Sequence, residues 1–360
     1  MNMTMLPEQE VRLFDWRLRR ALKADGVIGI VNKMAISFDK PSDPVYGRVG
    51  RHASYMVDRL INAGASLEEA MAVLRHCVDD RVSAEQYTAR IVERESMTTY
   101  VDGLPKGIPQ RTPDWYAARE GLITASNFHK AAAKPEQFIR EKFAAKPFLG
   151  SDATRWGVKY EDVACLLYSH YNNTPVYEYG LLHHPTVAHL GASPDGITPY
   201  GVMVEIKCPY SKTLKDIPEE YWAQMQGQLE VTGLTECDFV VCRVRGVSEE
   251  ACKGAMMEAS DPARYGAVAS YTDGSFRFSK PGQAFTELLQ FKDYHMAQGA
   301  EVSFHHVFDF TVTRVIKNEE AWKEMEQKLA RTWSMLHDAK LGKGAAVLQP
   351  EAPAFPFKIF

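Results

Sequence analysis

The 360-residue chain has no long apolar run, no closely paired cysteines and no strong charge of either sign. No stretch reaches the roughly eighteen consecutive apolar residues of a transmembrane helix, so no membrane association is expected. The opening MNMTMLPEQEVRLFDW lacks the basic start and apolar core of a signal peptide, which predicts a cytoplasmic chain that is not secreted. The six cysteines, Cys77, Cys165, Cys208, Cys237, Cys242 and Cys252, are scattered and form no CxxC pair. This spacing suits free thiols in a reducing compartment better than a disulfide framework. A net charge of −4 gives no global support for nucleic-acid binding.

What is present is an ordinary globular composition, 45% hydrophobic and 24% charged, in a chain long enough for two domains. Charge is uneven locally. Lys106 to Lys159 holds ten Lys/Arg against five Asp/Glu, an excess of +5 that fits a solvated helical face as well as a surface facing an anion.

The first hundred residues read as short helices. EQEVRLFDWRLRRALKADG has helical apolar spacing, and SLEEAMAVLRHCVDD and SAEQYTARIVERE open with Ser66/Glu69 and Ser83/Gln86 in capping-box positions. The Pro-, Gly- and Thr-rich SMTTYVDGLPKGIPQRTPDW predicts a boundary. The expected division is a helical accessory region over 1–100, a second domain over 101–345 and a loose tail over 346–360. Helical and strand-like segments then alternate: DWYAAREG, GVKYEDVACLLYSHY and EEYWAQMQGQLEVTG as helices, PVYEYGLL, VAHLGAS, GVMVEIKCP and CDFVVCRVR as strands. This order predicts an α/β (α+β) fold, a mixed central sheet flanked by helices. In 247–303, SEEACKGAMMEASDPARYGAV reads as a helix and ASYTDGSFRF as a hairpin at Asp273-Gly274; FHHVFDFTVTRVI then reads as a strand and NEEAWKEMEQKLARTWSMLHDAKL as an amphipathic helix.

The chemistry concentrates in GASPDGITPYGVMVEIKCP. On a strand, Glu205 and Lys207 share one face, and Val204, Ile206 and Cys208 share the other. A turn over Thr198–Gly201 would fold Asp195 back toward Glu205. Two close carboxylates repel unless a cation or proton lies between them. All-oxygen donors favour Mg²⁺ or Mn²⁺, which can activate water and stabilise phosphoryl charge. By itself the pattern reads first as a surface ion pair between Glu205 and Lys207 on an edge strand. His183-His184 and His305-His306 are poor chelates, because neighbouring strand residues face opposite ways.

Four segments in order carry a resemblance. Pro194-Asp195-Gly196 with EIKCP resembles the PD-(D/E)xK nuclease motif. RTPDWYAAREGLITASNFHK, RWGVKYED and YWAQMQGQLEVTG resemble the further motifs of the lambda-exonuclease or YqaJ-like viral recombinase family. The resemblance implies a restriction-endonuclease-like core, with 247–303 as an insertion into it. It implies metal ligation by Glu161, Asp195, Glu205 and the Ile206 carbonyl, with two Mg²⁺ or Mn²⁺ ions. Lys207 would activate or position the water, and Gln224 would help, with Gln226 as its paired glutamine and Tyr221 as a neighbouring candidate. Arg119, Ser126 and Ser193 would form a pocket for a 5′-terminal phosphate, where the planar guanidinium suits the ligand. Ser126 alone reads as a helix N-cap, and Arg119 alone as a surface cation.

The activity implied is 5′-to-3′ digestion of linear double-stranded DNA, leaving 3′ overhangs for phage or viral recombination and repair. The partners implied are DNA ends, a single-strand annealing protein and, for the oligomer, a ring-shaped trimer, in the cytoplasm of the host cell. An endonuclease of the same superfamily and a non-catalytic DNA-end or protein-binding module are the alternative readings.

Overall fold

A computed structural model describes residues 48–77, 82–143, 151–211, 214, 216–259 and 261–341. The helix expected over 8–26 and the tail over 346–360 lie outside the described residues. Three helices come first: α1 (Arg48–Asn62), α2 (Leu67–Cys77) and α3 (Ala84–Gly103). Both capping boxes form. The Ser66 N–H donates to Glu69 Oε2 at 2.9 Å and the Glu69 N–H to Ser66 Oγ at 3.3 Å. Ser83 and Gln86 make the same reciprocal pair at the start of α3.

Helix α3 runs on through SMTTYVDG, the first part of the segment whose composition predicts a boundary. Tertiary contacts override the local composition there. Val101 is buried in the main core and its carbonyl accepts from Tyr179 Oη at 3.2 Å, while Tyr100 Oη donates to the Thr232 carbonyl at 2.8 Å.

A short helix, α4 (Pro113–Glu120), is capped by Thr112, whose hydroxyl accepts from the Trp115 N–H. A small sheet follows, with β1 (Ile123–Thr124) parallel to β3 (Leu190–Ala192) and β2 (Leu182–His183) antiparallel to β3. Between its strands in sequence lie α5 (Phe128–Ala133), α6 (Pro135–Phe143) and the long α7 (Asp152–Asn172).

The main sheet starts with β4 (Gly196–Ile197) and β5 (Val202–Lys207), crosses through α8 (Glu219–Thr232), and continues with β6 (Glu236–Val247), parallel to β5. Strand β5 is buried on both faces. Val204, Ile206 and Cys208 pack with Tyr160, Val163, Ala164 and Leu167 of α7, and Met203 packs with Ala223, Met225 and Leu229 of α8. The surface-pair reading of Glu205 and Lys207 therefore fails: β4 pairs only with Met203 and Val204, but Glu205 beyond it is completely buried.

Within 247–303, α9 (Glu249–Glu258) ends earlier than its helical pattern predicts, and Tyr265–Ser270 becomes strand β7. Asp261 and Pro262 break the helix with a 3₁₀ turn, and Ala267, Val268 and Ala269 are fully buried along a neighbouring strand. The hairpin to β8 (Phe276–Phe278) turns at Asp273-Gly274, with Gly274 at φ +86°. After α10 (Phe285–Met296) come β9 (Glu301–Ile316) and α11 (Glu319–Lys340). The order is β4-β5-β6-β9-β7-β8, mixed and flanked by helices as the sequence predicts. On α11, Trp322, Met325, Leu329 and Leu336 are buried.

A buried ionic network fastens α1 and α3 to this sheet. Arg314 on β9 donates to Asp238 at 2.6 Å, Glu236 at 2.9 Å and Asp58 at 3.0 Å. Arg90 and Arg94 on α3 reach the same Asp58, each at 2.8 Å. No helix among the described residues is long and apolar enough to cross a membrane.

Candidate active site

The hairpin places the first two carboxylates. The Gly201 N–H closes the turn on the Thr198 carbonyl at 3.1 Å, and Thr198 Oγ accepts from the Val202 N–H at 3.1 Å. Gly201 sits at φ +77°, a left-handed conformation that glycine adopts without strain. The register Gly196 opposite Val204 then sets Asp195 beside Glu205. Strand β4 begins at Gly196, so the Ile206 N–H has no ladder partner on that side and donates to Asp195 Oδ2 at 2.7 Å. The N–H and C=O of one strand residue face the same side, so the Ile206 carbonyl also points toward Asp195.

Glu205 is completely buried. Gln224 Nε2 donates to its Oε1 at 2.7 Å, Gln228 Nε2 donates to its Oε2 at 2.8 Å, and Lys207 Nζ also donates to Oε1. Gln224 and Gln228 are four apart on α8 and so share a helix face. The Tyr221 ring lies 4.8 Å from Lys207 Nζ. Gln226 points elsewhere, donating to the Ile316 carbonyl at 3.1 Å and accepting from the Asn318 N–H at 2.6 Å. The glutamine paired with Gln224 at the site is thus Gln228, because helical geometry joins positions four apart and separates positions two apart.

Glu161 projects from α7, whose apolar face packs behind β5. Its carboxylate is held by Arg111 Nη2, 2.9 Å from each oxygen. Arg111 lies just before α4 in a left-handed conformation, φ 65°. Among the described residues no three His, Cys, Asp or Glu side chains close on a point at metal-ligand spacing.

The electrostatics are those of crowded carboxylates. Burial, then Glu205 and Glu161, push the Asp195 carboxyl far above the usual range, with Lys207 and the Ile206 N–H opposing. Burial also raises Glu161, against the Arg111 guanidinium. Burial works against the Lys207 charge, yet the Glu205 and Asp195 carboxylates hold its pKa above the ordinary lysine value. Asp195, Glu205 and the Ile206 carbonyl offer oxygen donors of the kind a hard divalent cation takes, and such a cation would relieve the repulsion that raises Asp195.

A second group stands beside the first. Ser126 and Ser193 follow the ends of the paired parallel strands β1 and β3. Trp115 and Arg119, four apart on α4, meet them. The guanidinium lies 4.1 Å from the Trp115 ring centroid and donates to Ser126 Oγ at 3.2 Å, and the Trp115 indole N–H donates to Ser193 Oγ at 3.0 Å. Among the described residues no carboxylate pairs with Arg119. Burial lowers its pKa, and the guanidinium stays charged. Ser126 is not an N-cap. It sits in a 3₁₀ turn over Ala125–Asn127, one residue short of the cap position of α5, with its hydroxyl exposed. Neither histidine pair forms a chelate, and His184 Nδ1 accepts instead from the Thr186 and Val187 N–H groups.

Residues 114–235 match the model of the YqaJ-like viral recombinase domain.

An uncharacterized protein of Acanthamoeba polyphaga mimivirus is 30% identical over 178 residues, which is 42% of this chain and 32% of that protein. The matched part thus spans about a third of the mimivirus relative. Among solved structures, the alkaline exonuclease LHK-Exo of Laribacter hongkongensis is 23% identical, covering 66% of this chain and 100% of that one at a TM-score of 0.42. A phage-related exonuclease from Haemophilus somnus is 11% identical, covering 62% and 96% at a TM-score of 0.39.

The YqaJ-like segment contains Trp115, Arg119, Ser126, Glu161, Ser193, Asp195, Glu205, Lys207, Gln224 and Gln228. Two neighbours lie just before it. Arg111 holds Glu161, and Gln110 Nε2 donates to the carbonyls of Tyr179 at 2.9 Å and Pro194 at 3.0 Å, fixing the backbone next to Asp195.

Proposed function

We propose that the chain is a divalent-metal-dependent deoxyribonuclease that digests one strand of linear duplex DNA from a 5′-phosphate end. The observation that carries this reading is the adjacency of two groups. One is an acidic cluster with a protonated lysine (Asp195, Glu205, Lys207). The other is a cation with two hydroxyls and no carboxylate (Arg119, Ser126, Ser193).

Asp195, Glu205, Glu161 and the Ile206 carbonyl would hold the metal, Mg²⁺ or Mn²⁺, two ions in the full site. When bound, the metal supplies Lewis acidity toward a phosphoryl oxygen. The chain's own residues do the rest. Lys207, held as an ammonium, donates rather than accepts; it orients the attacking water and offsets charge on the phosphoryl oxygens. Gln224 fixes Glu205 Oε1 and lines the same space. Arg119 receives the terminal phosphate, with Ser126 and Ser193 as hydroxyl donors. An end seated there lies next to the hydrolytic group, so cutting begins at the 5′ end and leaves a 3′ single strand.

The YqaJ-like viral recombinase domain agrees with a role in recombination, in which an annealing protein would take up the 3′ strand. A ring-shaped trimer would keep the enzyme on its duplex. The helices α1 and α3, which the Arg314 network fastens to the sheet, would belong to an accessory helical region. Linear and covalently closed circular duplexes, incubated with Mg²⁺, test the end-directed reading. Digestion of the linear form alone is expected, and efficient cutting of the closed circle would favour an endonuclease.

A further inference from the structure

We propose that Gln228 is a positioning residue that couples the phosphate pocket to the catalytic carboxylate. This rests on the end-directed reading above. An end seated against Arg119 then sets the orientation of Glu205, and a 5′-phosphate accelerates hydrolysis as well as binding.

The connection is continuous. Arg119 lies over the Trp115 ring, and the Trp115 indole N–H holds Ser193 Oγ at 3.0 Å. The Ser193 carbonyl accepts from Gln228 Nε2 at 3.4 Å, and the same nitrogen donates to Glu205 Oε2 at 2.8 Å. A primary amide carries two N–H bonds at a fixed angle, and Gln228 uses one on each side. Turning the amide over would set its oxygen against a carboxylate and a carbonyl, so the orientation is dictated.

Burial separates this role from packing. Gln228 is 1% exposed, and its Oε1 is a buried acceptor with no partner among the described residues. An apolar side chain of the same size would avoid that desolvation cost. Gln226, also fully buried on the same helix, uses both ends of its amide on β9 and the residue before α11, as a structural glutamine does. Gln224 reaches Glu205 but none of the pocket residues. Among these three, Gln228 alone touches both groups.

The test uses the full chain, Gln228→Met and Trp115→Phe. The second variant keeps a ring under Arg119 and removes the N–H donor to Ser193. Rates are measured on linear duplexes with a 5′-phosphate or a 5′-hydroxyl. Binding of the phosphorylated duplex is followed by fluorescence anisotropy in EDTA. The wild type should prefer the phosphorylated end. Gln228→Met should lower that preference about tenfold, through kcat, with anisotropy unchanged. Trp115→Phe should act in the same direction, and the double variant should lose less than the product of the two effects.

Equal slowing of Gln228→Met on both substrates, with the preference intact, would overturn the coupling and leave the end-directed reading standing. Weakened binding of the phosphorylated duplex by Gln228→Met would overturn it too, since Gln228 would then belong to the pocket itself. If Gln228→Met does not fold, Trp115→Phe decides by the same preference. A wild type indifferent to the phosphate would sink the end-directed reading and the coupling with it.

Discussion

Asp195 Oδ2 accepts the Ile206 N–H at 2.7 Å, and this bond holds the carboxylate beside Glu205 at the edge where β4 gives out. The arrangement is organised and costly. Both carboxylates are in a desolvated site, and Asp195 is far above its ordinary range because burial, Glu205 and Glu161 all oppose its charge.

Asp195→Asn should therefore raise the melting temperature of the metal-free protein. Asparagine can still accept from the Ile206 N–H and removes one repelling charge. The sign follows from the raised pKa. The folded state keeps a proton that the unfolded chain releases, so metal-free stability falls as pH rises above the ordinary carboxylate value. Melting curves in EDTA between pH 5 and 8 should slope downward for the wild type and less so for the variant. Stabilisation by Mg²⁺ should be lost in Asp195→Asn.

Arg119→Gln should raise KM for 5′-phosphorylated duplex ends by at least about tenfold, the scale of a lost charge-assisted hydrogen bond. Hydroxyl-ended duplexes should be affected little. Steady-state kinetics on the two substrates read this directly, and an equal effect on both would remove Arg119 from the pocket.

Arg314→Leu should destabilise the fold by about 3–5 kcal/mol, because it leaves the fully buried Asp238 without its cation. Urea denaturation measures the loss. Asp58 would keep Arg90 and Arg94. Burial opposes its charge, and Arg314 with Arg90 and Arg94 holds its carboxyl below the ordinary range.

His305 gives an acid-side prediction. Burial, then Lys159 and His306, push its pKa from 6.5 down to about 3. Below pH 6.5 the unfolded chain gains a proton there that the fold refuses, so stability falls as pH drops from 6.5 toward 3. His305→Leu should flatten that part of the profile in thermal melts.

Much of this was legible in the sequence because it depends on local rules. The Thr198–Gly201 turn, the alternation on β5, the two capping boxes and the apolar face of α11 each follow from residues a few positions apart. Other features depend on long-range contacts. That Gln228 faces the site while Gln226 does not needed only the four-residue helix period, and the motif's adjacent glutamines hid it. Arg111 reaches Glu161 from a left-handed backbone position fifty residues away in sequence, which no local pattern announces. The end of α3 and strand β7 depart from their sequence patterns because burial against other elements decided them.

The most direct test of the account is digestion of end-labelled, 5′-phosphorylated linear duplex DNA in Mg²⁺ by the wild type and by Lys207→Ala. The account predicts release of label from the 5′ end by the wild type, its abolition by EDTA, and a loss of at least about a hundredfold in the variant. Absence of Mg²⁺-dependent digestion in the wild type, or equal digestion by Lys207→Ala, would contradict it.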